Sequence, residues 1–279
     1  MNLNRKTIID AEKQHFTNLN LKELWLYKDL FRTLAWRDFK VRYAQTIIGL
    51  AWVFVQPIVT ISILYLVFGR FANVPTNGIP HLVFIVAGTS LWSYFSYLMT
   101  NSGNSVIQAQ QMISKIYFPR LIVPLSKAVV GFIDFGVNIL ILISLMIYYQ
   151  ISPSPNIIYA PIFILMGIIA ALGVGIWLSA LSIRFRDFQH IIPFMVQIGL
   201  YITPVAYPAE FATQKLSSTL ATLYFLNPMA GVIQGFRWSV LGGEPPSSLA
   251  MISFGIVLLI FITSLFYFKS LESKMADIV

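Results

Sequence analysis

The chain has no cysteine in its 279 residues. A disulfide framework and a thiolate metal site are therefore excluded. Charge is also scarce: Asp, Glu, Lys and Arg make up 11% of the sequence, against about 25% in soluble domains. The histidines are His15, His81 and His190, far apart in the chain and on two sides of the topology derived below. A three-ligand metal centre is not expected from them. No phosphate-binding loop can be built, because only Lys6 and Lys269 precede Thr or Ser and neither follows Gly. The dinucleotide fingerprint G-x-G-x-x-G and the zinc motif H-E-x-x-H are missing too. No cofactor is expected in this chain. A cleavable leader is not expected, since residues 1–20 are polar and no short apolar core follows them.

Hydrocarbon is abundant. The chain is 57% hydrophobic with a mean hydropathy of +0.74, which makes a bilayer the expected solvent. Six apolar runs are long enough to consider as spans: about 47–69, 82–106, 121–149, 157–181, 191–207 and 249–268. The fifth is short and interrupted by Pro193 and Pro204. Continuous runs, rather than alternating ones, predict helices and not a barrel. The fold class expected is an all-α integral membrane protein with six transmembrane helices.

The formal net charge is +8. With six spans both termini share one side, and nearly all Lys and Arg collect there. Only Arg70, Lys215 and Arg237 fall on the opposite side, and Lys127 falls within the third span. This asymmetry predicts cytoplasmic termini. The basic charge then reads as a topology signal and a contact for anionic membrane lipids, with no need for nucleic acid.

The stretch WRDFKVRYAQTIIGLAW, Trp36 to Trp52, passes from charged to apolar with no Pro or Gly before Gly49. Leu24, Tyr27, Phe31 and Leu34 share one side of a helix over this region, so residues 21–46 read as an amphipathic helix on the cytoplasmic leaflet, bending near Gly49 into the first span. Asp38 and Arg42 are spaced to pair at i,i+4. Residues 1–20 form a polar tail, 47–268 the transmembrane domain and 269–279 a second tail.

Between the fifth and sixth spans, 205–248 holds apolar pieces too short to cross, broken at Asn227-Pro228. Such pieces predict helices that re-enter the outer leaflet, covered by protein or a water-filled cavity. Inside the third span Lys127, Asp134 and Asn138 share a helical face. They read either as a polar patch in a conduit or as a structural pair within or between helices. Gly167, Ala171, Gly175 and Ser179 recur every four residues and predict close helix packing. Aromatics reach 15%, more than interfacial belts alone require, and their flat faces suit sugars. Two short cytoplasmic loops, QAQQMISKIYFPR and RFRDFQH, mix aromatic and basic residues. If ATP drives this protein, energy must enter there from another subunit.

The motifs WRDFKVRYAQTIIGLAWVFVQP, KIYFPR, RFRDF, TPVAYP and NPM, in that order, resemble the membrane subunit of ABC-2-type polysaccharide exporters. These carry O-antigen, capsule or teichoic-acid chains across the inner membrane. The resemblance implies a homodimer with two nucleotide-binding ATPase subunits, which hold the ATP and magnesium. It implies a lipid-linked polysaccharide loaded beside the amphipathic helix, here Trp36, Arg37, Lys40 and Arg42. Lys115, Phe118, Arg120, Arg184, Arg186, Asp187 and Phe188 correspond to elements that couple to the ATPase. Tyr207, Tyr224, Asn227, Pro228 and Arg237 fall in the external gate. Tyr65, Trp92, Tyr97 and Tyr201 are the channel candidates by position. Alternatives are an exporter of small hydrophobic molecules or a membrane-bound glycan-modifying enzyme.

Overall fold

The computed structural model describes residues 21–43, 51–214 and 216–272. The polar tail 1–20, the bend expected at Gly49 and residues 273–279 lie outside them. Among the described residues the structure is all helical, with no strand. A short α1 (Leu21–Leu26) leads into α2 (Lys28–Tyr43), and α3 (Trp52–Leu64) continues as a π-helical stretch, Tyr65–Phe71. Then come α4 (His81–Gly103), the short α5 (Ser105–Gln108) and α6 (Gln110–Ile113), and α7 (Ile122–Tyr148). A 3-10 turn, Pro155–Tyr159, opens α8 (Ala160–Arg184), which is followed by α9 (Phe188–Ile202). Three shorter helices, α10 (Ala209–Thr213), α11 (Ser218–Tyr224) and α12 (Pro228–Leu241), precede α13 (Ala250–Glu272).

Among the described residues, five helices are long and apolar enough to cross a bilayer: α3 with its π extension, α4, α7, α8 with its 3-10 turn, and α13. The expected fifth span is a shorter apolar helix. It stops at Ile202 because Thr203, extended before Pro204, cannot continue it. The expected second span also ends early, at Gly103. Asn104 turns its side-chain amide back to the Thr100 carbonyl, 3.0 Å away, and the chain re-forms as α5 and α6.

α4 is the axis of the bundle. Most of it is buried, whereas α3 and α13 keep most of their surface outward. α4 is also the least apolar of the long helices, and a helix that carries polar side chains belongs inside the bundle, away from lipid. Apolar side chains gain little by leaving lipid for protein, so close packing of small residues decides the contacts. The four-residue stripe on α8 provides them: a Cβ at Gly175 would sit 2.8 Å from Ser102 Cβ, and one at Gly167 3.1 Å from Leu91. Gly173 turns the other way, against the α13 backbone at Phe261. The Ser102 hydroxyl donates to the Pro124 carbonyl at 3.2 Å, tying α4 to α7.

The expectation for the amphipathic helix changes in one respect. Its apolar face does not lie open to lipid. Leu34 and Ala35 are buried, and Leu24, Tyr27, Leu30 and Phe31 pack on a core shared by α5, α6, α7, α8 and α13. Trp25, Leu26, Trp36 and Val41 are the large apolar residues of this segment that project outward.

Candidate functional site

A cavity of about 670 Å³ lies between α2, α3, α4, α7 and α9. One polar stripe on α4 lines it: Thr89, Ser93, Ser96, Thr100 and Asn101, with Trp92 and Tyr97 beside them. Their spacing of three and four residues is that of one helical face. From α3 come Gln56, Pro57 and Thr60, and α9 adds Val196 and Leu200. Lys127, Asp134 and Asn138 project from α7, and Asp38 and Arg42 from α2. Polar groups at this depth are tolerated where they face a water-filled space.

The α7 charges are bound, though not to each other. Lys127 Nζ meets Asp38 Oδ2 at 2.7 Å, and Arg42 Nη2 meets Asp134 Oδ2 at 2.7 Å. Asp38 and Arg42 likewise do not form the expected i,i+4 pair; each crosses to α7. Arg37 adds a 3.0 Å contact to Asp38. The Arg42 guanidinium lies over the Tyr97 ring, 4.6 Å from its centroid, a cation–π arrangement. Asn138 donates to Ser93 Oγ and to the Asp134 carbonyl, linking α7 to the α4 stripe. The ladder is legible in principle: Asp38 and Arg42 read minus then plus along α2, while Lys127 and Asp134 read plus then minus along α7. Asp38 is the member missing from the sequence-based site candidates.

Of the four channel candidates, Trp92 and Tyr97 line the cavity. Trp92 is only 6% exposed, wedged between α4 and α9 so tightly that a Cβ at Gly199 would come within 2.6 Å of its ring. Tyr65 packs on the main core instead, and Tyr201 is exposed at the end of α9. Neither lines the cavity. Of the remaining amphipathic-helix residues, Trp36 is exposed, stacked on Phe39 at 5.3 Å with Lys40 over its ring.

The loop candidates divide. Lys115, Arg184, Arg186 and Asp187 are exposed, together with Ile116, Tyr117 and Phe185. Phe188 is half-buried on the main core, with its ring 6.4 Å from Phe185. Phe118 is core, 3% exposed, because the loop folds inward between α6 and α7. Arg120 is used internally: its backbone N–H donates to Glu272 Oε1 at 2.9 Å, and its guanidinium donates to the Glu272 carbonyl. Glu272 also takes Lys269 at 2.5 Å.

Near the start of α4 lies a second buried cation. Arg237 of α12 donates from Nε to the Phe84 carbonyl (3.2 Å), from Nη1 to those of Pro204 (2.7 Å) and Tyr207 (3.3 Å), and from Nη2 to that of Val205. Its guanidinium sits 3.7 Å over the Phe84 ring centroid. Among the described residues no carboxylate forms an ion pair with it. Glu210 instead accepts from the Gln234 amide. Gly88 makes room: any Cβ there would collide with the Arg237 guanidinium and the Val205 carbonyl. The Tyr207 hydroxyl donates to the carbonyls of Tyr201 and Ile202 at 2.9 and 2.8 Å and accepts a longer contact, 3.4 Å, from Tyr224. Asn227 caps α12 by accepting from the Met229 N–H, donates to Thr203 Oγ1 at 2.8 Å, and is followed by Pro228 at the first helical position. The residues assigned to an external gate thus converge on the segment 203–207.

Residues 29–241 match the ABC-2 type transporter family. The chain belongs to that family. Similar proteins include the O-antigen export system permease protein RfbA of Klebsiella pneumoniae, 27% identical over 252 residues, which cover 90% of this chain and 95% of the relative. The protein of that name from Myxococcus xanthus is 25% identical over 251 residues, covering 88% and 94%. Membership makes the chain a multi-pass membrane subunit of a transporter rather than an enzyme, within an ABC system that includes an ATPase partner.

Proposed function

We propose that this chain is the permease of an ATP-driven exporter that moves a lipid-linked polysaccharide, O-antigen-like, from the cytoplasmic side across the inner membrane. The polar cavity along α4 carries this reading: its hydroxyls, amides and Tyr97 suit a sugar chain better than a small hydrophobic solute. The named function of the relatives supports it. Two copies of the chain work with two ATPase subunits, which hold ATP and magnesium. The outward apolar faces of α3 and α9 beside the cavity meet lipid or the second copy. The excess of Lys and Arg places both termini in the cytoplasm, with α9 and the segment after it completing the sixth crossing. The exposed group Lys115, Tyr117, Arg184, Phe185 and Arg186 receives the ATPase, and α10–α12 close the external side. Nucleotide state on the partner shifts the balance between closed and open conduits.

The test is export in cells with the chromosomal gene deleted and the chain supplied with its ATPase. Surface polysaccharide is expected to disappear on deletion, with lipid-linked chains accumulating inside, and to return on complementation. Phe185→Ala is expected to abolish export at normal permease abundance, whereas Phe118→Ala lowers abundance itself through a core void. Unchanged surface polysaccharide in the deletion strain would overturn the reading.

A further inference from the structure

The charge balance of the cavity and the sense of its hydrogen bonds constrain what it holds. Among the described residues, the charged side chains on its wall are Asp38, Arg42, Lys127 and Asp134, two of each sign. Each cation already faces a carboxylate at 2.7 Å. Arg37 touches Asp38 but is not part of the wall. A polymer with a phosphodiester or carboxylate in every repeat would find no uncompensated cation here. The wall is net neutral, so the polymer's own charge would lose water without gaining a partner.

The neutral groups point the same way. Thr60 donates to the Gln56 carbonyl at 3.0 Å, and Thr89 to that of Val86 at 3.1 Å. Ser93 donates to the Ser90 carbonyl at 3.0 Å and Ser96 to that of Ser93 at 3.1 Å. A hydroxyl has one proton and two lone pairs, so these groups face a ligand as acceptors. Asn138 directs its amide N–H groups to Ser93 Oγ and the Asp134 carbonyl, and its Oδ1 has no hydrogen-bond partner. The hydroxyls of the α3 and α4 walls and Asn138 thus offer mainly acceptors and suit a ligand that donates O–H.

We propose that the cavity selects a neutral, hydroxyl-rich glycan over a polyanionic one. The inference rests on the glycan-export reading and adds the charge class of the polymer.

The experiment titrates the permease, co-purified with its ATPase in nanodiscs, with a maltodextrin and with an oligogalacturonate of equal length, by calorimetry. The maltodextrin is expected to bind at least about tenfold more tightly. Thr100 lines the cavity, half-buried, and takes part in neither ion pair. Thr100→Lys is expected to narrow the preference about fivefold, as one uncompensated cation at short range should. Gln108→Lys, at an exposed position on the same wall, gives a second reading if the first variant does not fold. Equal affinities, or tighter binding of the galacturonate, would overturn the inference and leave the export reading standing. A preference unmoved by both lysine variants would overturn the cavity as its origin. Binding of neither probe would overturn the inference and the glycan reading together.

Discussion

Arg42 and Arg237 are the same side chain held in two different ways. Arg42 borders a cavity toward the C-terminal end of α4, 27% exposed, and meets a carboxylate, with Asp38 and Lys127 forming the companion pair nearby. Arg237 is buried near the N-terminal end of α4 and is held by main-chain carbonyls and an aromatic face. An ion pair beside water has an alternative on both sides, since each partner can turn to solvent. A guanidinium set among four carbonyls has none, because its fork geometry fits those acceptors alone. The first arrangement can rearrange during transport; the second fixes the 203–207 segment to α4 and α12.

The sharpest way to break this comparison is at Arg237. Replacing it by Gln removes the charge and most of the fork, leaving several buried carbonyls without a donor. We expect a loss of at least about 3 kcal/mol, read as a fall in permease abundance and in apparent unfolding temperature in detergent. Arg237→Lys is expected to be nearly as damaging, because an ammonium cannot reach acceptors on two sides at once. Near-normal stability of the Lys variant would show that charge alone, not the fork, holds the segment.

At the ladder the expected effects are smaller and, unlike those at Arg237, reversible by a second substitution. Arg42→Gln and Asp134→Asn are each expected to cost about 1–2 kcal/mol, with a coupling of about 1 kcal/mol between them. The exchange of both residues, Arg42→Asp with Asp134→Arg, should recover part of the loss. Lys127 and Asp134, by contrast, should give additive losses, since each pairs across to α2 rather than with the other. Coupling between Lys127 and Asp134 comparable to that between Arg42 and Asp134 would contradict the ladder as drawn.

How far the sequence could be read follows from the range of each signal. Span positions rest on long apolar runs, and α7, α8 and α13 fall within a few residues of expectation. The α8 stripe is likewise a local pattern, and it packs where its period says it should. Pairing across helices has no such period. The segment from Lys127 to Asn138 is legible as a polar face only when its own helix is considered. Lys127, Asp134 and Asn138 show where polarity lies, while Asp38, distant in the chain, decides what Lys127 touches. Aromatic side chains fail for a related reason. Tyr65 and Tyr97 sit alike in apolar runs and both pack on the main core, and only the rotation of each helix in the bundle brings Tyr97 onto the cavity as well. Arg237 is hardest of all, because its partners are carbonyls, which every residue has.

Salt gives the smallest effect and the finest test of the difference between the two arginines. Screening acts over about 8 Å near physiological ionic strength and about 3 Å at 1 M, and it reaches charges in contact with water far more than buried ones. The coupling between Arg42 and Asp134 should therefore shrink by a few tenths of a kcal/mol across that range. The loss caused by Arg237→Gln should not change, because no mobile ion can enter a site walled by the Phe84 ring and the backbone at 204–207. Apparent unfolding temperatures of the wild type and these variants at both salt concentrations measure this. If the Arg237 loss were the one to weaken with salt, its socket would have to be open to water, and the distinction between a fixed anchor and an exchangeable ladder would reverse.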